Sequence, residues 1–478
     1  MPRASLPWIL LIAVAMRVYA VLAWPSLLHP DENFQSLEQA HRLAFGYGVT
    51  PWEFHDGVRS LLIPWLLSRL FALLALFSAA PASYLLAAHL LLAALSLLTV
   101  VAAYGAGQQH SARHALIAGL VAATWFQIVN FADRSLSEAI AANFLIAAVA
   151  LAGVPPARYS WRRLLWLGAC LAMCVAIRTD LAPGALVVAC WAGGLRVRQH
   201  WLPMLLGAVP VLLIFGICDW LTWGRPFHSY YALFDADLLH GVLAGQGTQP
   251  FSWLYIDLAA RWGGAGLLLL GLLLLSLRRY PLWVLTAAAV FLIHSFIGHK
   301  EYRYVYPAVA CLLIAAAMAS VDLMEAMRQA WAGGRERTWT AALASGWLAL
   351  SALLAIQPAN AGDWTARADH IRLSFWLYGQ PQLCGLMLYD YAWFNTGGYA
   401  YLHRRVPMYE WPDHSPAGQR RALDDGAANY ILLKRASFGN FVPRYVLRQC
   451  DQDRGDETMC VAQRPGGCAN RAGLPAVQ

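Results

Sequence analysis

Charged side chains are scarce in this chain. Only 13% of its 478 residues are Asp, Glu, Lys or Arg, about half the share a soluble globular protein carries. Lysine is scarcer still: of 35 basic residues only Lys300 and Lys434 are lysine, leaving 35 − 2 = 33 arginines. No basic block accompanies the net charge of +8, so nothing marks a nucleic-acid partner. Of the nine cysteines, five lie in apolar runs as small core residues, and Cys384, Cys450, Cys460 and Cys468 lack the paired spacing of a zinc site. The two halves lack the inverted repeat of many transporters.

Apolar sequence fills the space that charge leaves. Hydrophobic residues make up 59% of the chain, with a mean hydropathy of +0.47. In lipid only helices and closed barrels satisfy their own backbone. Runs such as Leu85–Ala103 and Leu202–Leu221 are continuous rather than alternating, which selects helices. The runs predict an all-α polytopic membrane protein of about 11 spans, near 6–24, 84–104, 115–131, 137–153, 164–177, 181–195, 202–221, 263–277, 282–298, 304–323 and 339–357. Residues 1–24 read as a retained first helix rather than a cleaved leader. The pair 164–177 and 181–195 is short enough to form a hairpin that stops part-way across.

Arginine placement decides the ambiguous stretch 61–78, which contains Pro64, Ser68 and Arg69. If it lies at the interface, one side receives Arg3, Arg113, Arg158, Arg162, Arg163, Arg196, Arg198, Arg278, Arg279, Arg328, Arg335 and Arg337, as positive-inside loops should. The other side receives the first loop 25–83, the turns 132–136, 178–180 and 299–303, the loop 222–262 and the tail from Pro358. This divides the chain into a transmembrane part, 1–357, and an outer tail, 358–478. Short apolar runs in the tail (Leu386–Trp393, Tyr430–Leu433, Tyr445–Arg448) and a polar helix around Pro416–Asp425 predict a small α/β domain. A turn at Asp451–Asp456 sets Cys450 opposite Cys460, a pairing suited to an oxidising compartment.

Two loop segments stand out chemically. The first runs His29-Pro30-Asp31-Glu32-Asn33-Phe34-Gln35. Proline suits a first helical turn, and Asp31 and Glu32 then sit where the dipole favours negative charge, so capping of a juxtamembrane helix is one full account of the pair. The functional reading is a carboxylate base that takes a proton from an acceptor hydroxyl. Trp52, Glu53 and Arg59 follow in the same loop and suit a carbohydrate surface; an interfacial aromatic belt is the blander explanation. The second segment is His299-Lys300-Glu301-Tyr302-Arg303. If helical, it gathers three donors on one patch, as a phosphate leaving group requires. Snorkelling charges at a helix end are the plainer account. Arg134 and Arg178, beside Asp133 and Asp180, are weaker supporting positions.

Taken together, HPDENFQSLEQAHRLAFGYG (29–48), PWEF (51–54), GVRS (57–60), DRSLSEA (133–139) and HKEYRYVYP (299–307) resemble the family 22 glycosyltransferases, which are mannosyltransferases. The resemblance covers residues 1 to about 360. It implies a GT-C fold and inverting transfer of mannose from a polyprenyl-phosphate donor to a glycan or glycolipid acceptor, without a metal or cofactor. It carries Asp31 over as the preferred base with Glu32 second, and His299, Lys300, Arg303 and Arg134 as donor-phosphate ligands. His29, Gln35, Trp52, Glu53, Arg59, Arg178 and Glu301 follow as substrate-binding positions. Asp133 and Tyr304 depart from the family's usual threonine and phenylalanine. The compact, alanine- and arginine-rich chain implies a bacterial inner membrane with a periplasmic site, or the endoplasmic reticulum in a eukaryote. Transfer of another sugar and, in a different class, lipid or polysaccharide transport are the alternatives; charges clustered on one side favour an enzyme.

Overall fold

The computed structural model describes residues 5–245, 247–330, 336–452 and 454–469, so Arg3 and Arg335 lie outside the described residues. The chain forms two compact units. The first comprises Met1–Ala23, Asp56–Ser60 and His89–Asp363; the second comprises Trp24–His55, Leu61–Ala88 and Trp364–Gln478.

The first unit is helical. Among the described residues of the whole chain, five helices are long and apolar enough to cross a bilayer: Leu6–Ala23, Pro81–Gln108, Val197–Trp223, Tyr302–Ala330 and Arg337–Ala355. Trp253–Trp262 and Ala265–Arg279 would make a sixth, but they are bent by 112° at Gly263 and Gly264, and Gly263 has φ +52°. The multi-pass membrane character stands, while helix length supports fewer full spans than eleven. Ala112–Thr124, Ser137–Ala152, Thr179–Gly193 and Pro281–Phe296 fall below 18 residues, against the roughly 20 that a hydrocarbon core asks for.

Tyr302–Ala330 is the central helix of this unit, with 83% of its apolar window buried. Ala308, Ala310, Ala315, Ala316, Ala317 and Ala319 are all buried on it; such small side chains let neighbouring backbones approach closely. Glycine does the same between Trp161–Ile177 and Leu202–Trp223. A Cβ on Gly168 would lie 1.8 Å from the Met204 carbonyl oxygen, and one on Gly207 would lie 1.9 Å from that of Leu165. Arg17, buried inside Leu6–Ala23, donates to Ser96 Oγ at 2.6 Å and to the carbonyls of Ala123 and Ala122 at 3.2 and 3.4 Å. Those carbonyls end the helix Ala112–Thr124 and would otherwise lack partners.

Two polar belts mark the central helix. At its start Arg303 joins a charge network described below. Nineteen residues on, Asp322 accepts from Arg279 at 2.5 Å and from the Tyr280 hydroxyl at 2.7 Å, with His114 Nε2 at 3.2 Å. Arg113 pairs with Glu325 at 2.8 Å nearby.

The second unit is built around a five-stranded sheet of order β2-β1-β3-β5-β4, with β1 Leu386–Leu388, β2 Met408–Glu410, β3 Tyr430–Lys434, β4 Val446–Cys450 and β5 Met459–Gln463. β2, β1 and β3 are parallel, whereas β5 and β4 run antiparallel to their neighbours. Alternation along the strands sends Leu386, Leu388, Tyr430 and Leu432 into one core with Phe34 and Leu373. It sends Met387, Tyr389, Ile431 and Leu433 into another with Phe441 and Tyr445. β3 is buried on both faces, hence its continuous YILL run. A third cluster joins Leu27, Leu37 and Ala40 of the first loop to Phe71, Tyr84, Ile371 and Tyr401. Cys450 pairs with Cys460 in register and forms the expected disulfide; a second, Cys384–Cys468, was not foreseen. All five free cysteines belong to the helical unit.

Candidate functional site

In the second unit a helix begins at Pro30, and its stretch Glu32–Leu37 is π-helical. The Gln39 amide supports the widened turn, donating to the carbonyls of Phe34 and Val49, each at 2.9 Å. Such π-turns recur at functional sites. The two adjacent carboxylates diverge in environment. Glu32 is fully buried, and its Oε1 accepts the N–H groups of Leu28 at 2.6 Å and His29 at 3.1 Å, pinning the chain that enters the helix. Asp31 keeps 23% of its side chain exposed and sits 3.4 Å from His29 Nδ1. That same nitrogen lies 3.2 Å from the Asp31 N–H, so the imidazole and carboxylate are held side by side. Gln35 donates to Glu53 at 3.0 Å. Trp52 is half-buried on the short helix Trp52–His55.

The helical unit holds the other group. Glu138 is fully buried at the start of Ser137–Ala152. Its Oε1 lies 3.3 Å from Arg178 and 3.2 Å from Arg303. Arg178 also pairs with Asp180 at 2.8 Å, and Asp180 lies 3.3 Å from His294. Arg303 pairs closely with Glu301, which His299 meets at 3.0 Å. Both guanidinium groups lie over the Tyr304 ring, at 5.0 and 4.9 Å. Buried charges persist only where each finds partners, and here three carboxylates interleave with two arginines and two histidines.

The segment 297–301 is a bend, and the central helix starts only at Tyr302, so the helical patch expected of His299, Lys300 and Arg303 does not form. Lys300 instead turns onto backbone, donating to the carbonyls of Gln249 at 3.0 Å, Ile297 and Gly298. The first of these joins the bend to the 247–249 segment, and the others close the bend on itself just after Pro281–Phe296. Arg134 donates to the Asn130 carbonyl at 2.9 Å, beside an Asp133 paired with His89 at 3.1 Å. Arg59 has a buried Nε without a partner among the described residues. Its neighbour Gly57 has φ +69° and passes so close to His228 that a Cβ would lie 2.6 Å from the ring.

Sequence reasoning passed over His294, and it marked Glu138 and Asp180 only as weak supporting positions. Glu138 and Asp180 carried only the weak signal of a carboxylate beside an apolar run, and His294 gave none within its hydrophobic helix.

The motifs and the helical architecture match one known family. Its sequence model, described as the Alg9-like mannosyltransferase family, matches residues 8–358. The chain belongs to this family. Within it, the chain is similar to GPI mannosyltransferase 3 of Yarrowia lipolytica, at 30% identity over 337 residues, 67% of this chain and 64% of that protein. It is also similar to GPI mannosyltransferase 3 of Drosophila melanogaster, at 27% over 330 residues, 63% and 54% of the two chains. The alignments thus span about 54–64% of the length of these relatives. Among solved structures, ArnT from Cupriavidus metallidurans in the apo state superposes with a TM-score of 0.62 at 14% identity, covering 96% of this chain and 98% of that one. ArnT bound to undecaprenyl phosphate gives 0.57, covering 98% and 99%. The family member therefore has the GT-C fold of ArnT, with a small C-terminal sheet.

Proposed function

We propose that this protein is an integral-membrane mannosyltransferase that moves mannose from a polyprenyl-phosphate donor to a hydroxyl of a glycan or glycolipid, with inversion at the sugar carbon. Family membership supports the transfer, the names of its relatives support mannose and a glycolipid acceptor, and ArnT's complex with undecaprenyl phosphate supports a lipid-phosphate carrier. The observation that carries the mechanism is the division of labour between Asp31 and Glu32: one carboxylate is accessible, the other is consumed by backbone. Asp31 takes the acceptor's proton as the hydroxyl oxygen bonds to the sugar carbon. The bond from that carbon to the phosphate oxygen breaks, and polyprenyl phosphate leaves with the electron pair.

Arg303, Arg178, His299, Lys300 and Arg134 are the proposed phosphate donors, with Gln35, Trp52, Glu53, Arg59 and His29 toward the sugars. Carboxylates already pair with both arginines of the network, so an incoming phosphate competes with one of them. Glu301 and Asp180, 24% and 22% exposed, are better placed to yield than the fully buried Glu138. We assign catalysis to residues 1–357 and support of the first loop to 358–478. The two disulfides favour an extracytoplasmic compartment for that tail, periplasm or endoplasmic-reticulum lumen.

Two variants assayed with radiolabelled polyprenyl-phosphate mannose and octyl α-mannoside test this reading. Asp31→Asn should lower kcat by at least 100-fold and leave donor binding in place, because a lost base affects only the chemical step. Transfer at the wild-type rate removes Asp31 from the base role. Lys300→Ala should raise the KM for donor; an effect on acceptor alone removes the phosphate role.

A further inference from the structure

Seven residues beyond Asp31 on the same helix stands a second fully buried carboxylate, Glu38. Its two oxygens reach two remote stretches of chain. Oε1 accepts the Val49 N–H at 2.7 Å, and Oε2 accepts the Ala400 N–H at 2.7 Å. Ala400 belongs to the turn of helix Gly398–Leu402 in the tail, 362 residues away.

The surroundings are built to admit this carboxylate. Gly398 has φ +57°; a Cβ there would lie 2.6 Å from Glu38 Oε2, and a Cβ on Gly48 would lie 3.1 Å from Oε1. Glycine serves both the left-handed backbone and the close approach. The same helix and turn meet again where His41 Nε2 contacts His403 Nδ1 at 2.9 Å, and the Tyr84 hydroxyl donates to the Ala400 carbonyl at 2.6 Å. A buried carboxylate is costly unless backbone donors surround it. Leucine would fill this space in an ordinary core, so a carboxylate bridging 38, 49 and 400 calls for a role that depends on direction.

We infer that Glu38 is a positioning residue: by binding the backbone of Val49 and Ala400 it fixes the Asp31-bearing helix against the C-terminal turn and so sets where Asp31 can meet an acceptor. This rests on the proposed base role of Asp31. Catalysis is sensitive to such placement, since a displacement of about 1 Å can cost on the order of 100-fold in rate.

The test uses full-length protein in lipid nanodiscs, with polyprenyl-phosphate mannose and octyl α-mannoside. Glu38→Ala should lower kcat by about 100-fold with both KM values within about threefold, and should loosen amide exchange at Phe34–Ala40. Glu38→Gln keeps an acceptor oxygen for one of the two N–H groups and should recover at least tenfold of the loss. Gly398→Ala, which presses on Oε2, should behave like Glu38→Ala. Wild-type kcat in Glu38→Ala overturns the inference. So does an equal loss in the alanine and glutamine variants accompanied by loss of cooperative unfolding, which marks a merely structural role. Asp31→Asn run alongside separates the two ideas. Full activity there sinks the base, whereas unchanged amide exchange in Glu38→Ala sinks the positioning.

Discussion

Glu32 and Glu38 lie six residues apart, and both use their carboxylates on backbone N–H groups. The sequence marks Asp31 and Glu32 as an acidic pair, but sorting them requires knowing which oxygens the backbone claims, and that depends on the π-turn. Glu38 has a measurable signature. Burial pushes its carboxyl up to about 7 from an ordinary 4.5, against the pull of the Val49, Ala400 and Tyr399 N–H groups and of Arg42. The folded protein therefore holds this proton more tightly than the unfolded chain. The contribution is full below about pH 4.5 and is lost as pH rises through about 7, an effect on the order of 3 kcal/mol. His41 acts oppositely: burial and His403 hold it down to about 3, so its contribution is present above pH 6.5 and lost on acidification. Comparing wild type with Glu38→Gln cancels the histidines. The gap in melting temperature should narrow steadily from about pH 5 to 8, and a constant gap contradicts the shift.

At the scale of elements, most helices were legible because a continuous apolar run has one solution in lipid. The tail strands at 386, 430 and 446 were legible from short apolar runs between turns. β2 and β5 were not: three residues at 408–410 carry no periodicity, and MCVAQ shows its partner only through the Cys450–Cys460 register. The bend at 297–301 also escaped, because Lys300 stabilises it by bonds to carbonyls that no spacing rule anticipates. The reciprocal contact of Gly168 and Gly207 gives a prediction here. Gly207→Val drives a side chain into the Leu165 carbonyl, which cannot rotate away. Stability should fall by about 3 kcal/mol or more in a thermal unfolding series in detergent. Gly271→Ala, with open space around it, should be neutral or slightly stabilising. Equal behaviour of the two variants would show that close backbone approach does not hold this helix pair.

At the scale of the whole molecule, the arginine pattern sorted the loops of the helical unit. Arg113 and Arg279 meet the later part of the central helix, whereas 138, 178 and 299–303 gather at its start. The make-up of the second unit was not legible. It combines 24–55, 61–88 and the tail, and contacts such as Glu38 with Ala400 leave no periodic trace in either segment. Family motifs named the chemistry, and only the fold showed what each motif residue holds.

The two polar belts on Tyr302–Ala330 make that helix a gauge. Arg303 and Asp322 are nineteen residues apart, so the belts stand ~28 Å apart along the axis, close to a hydrocarbon thickness of about 30 Å. A thinner or thicker bilayer must then drag one charged belt into acyl chains or strand apolar surface in water. Transfer rates in vesicles graded from dimyristoyl to dierucoyl phosphatidylcholine should pass through a maximum at intermediate chain length. A flat profile would mean that the belts do not register the membrane. If the gauge holds, lipid thickness is one of the things that set how fast this enzyme works in each of a cell's membranes.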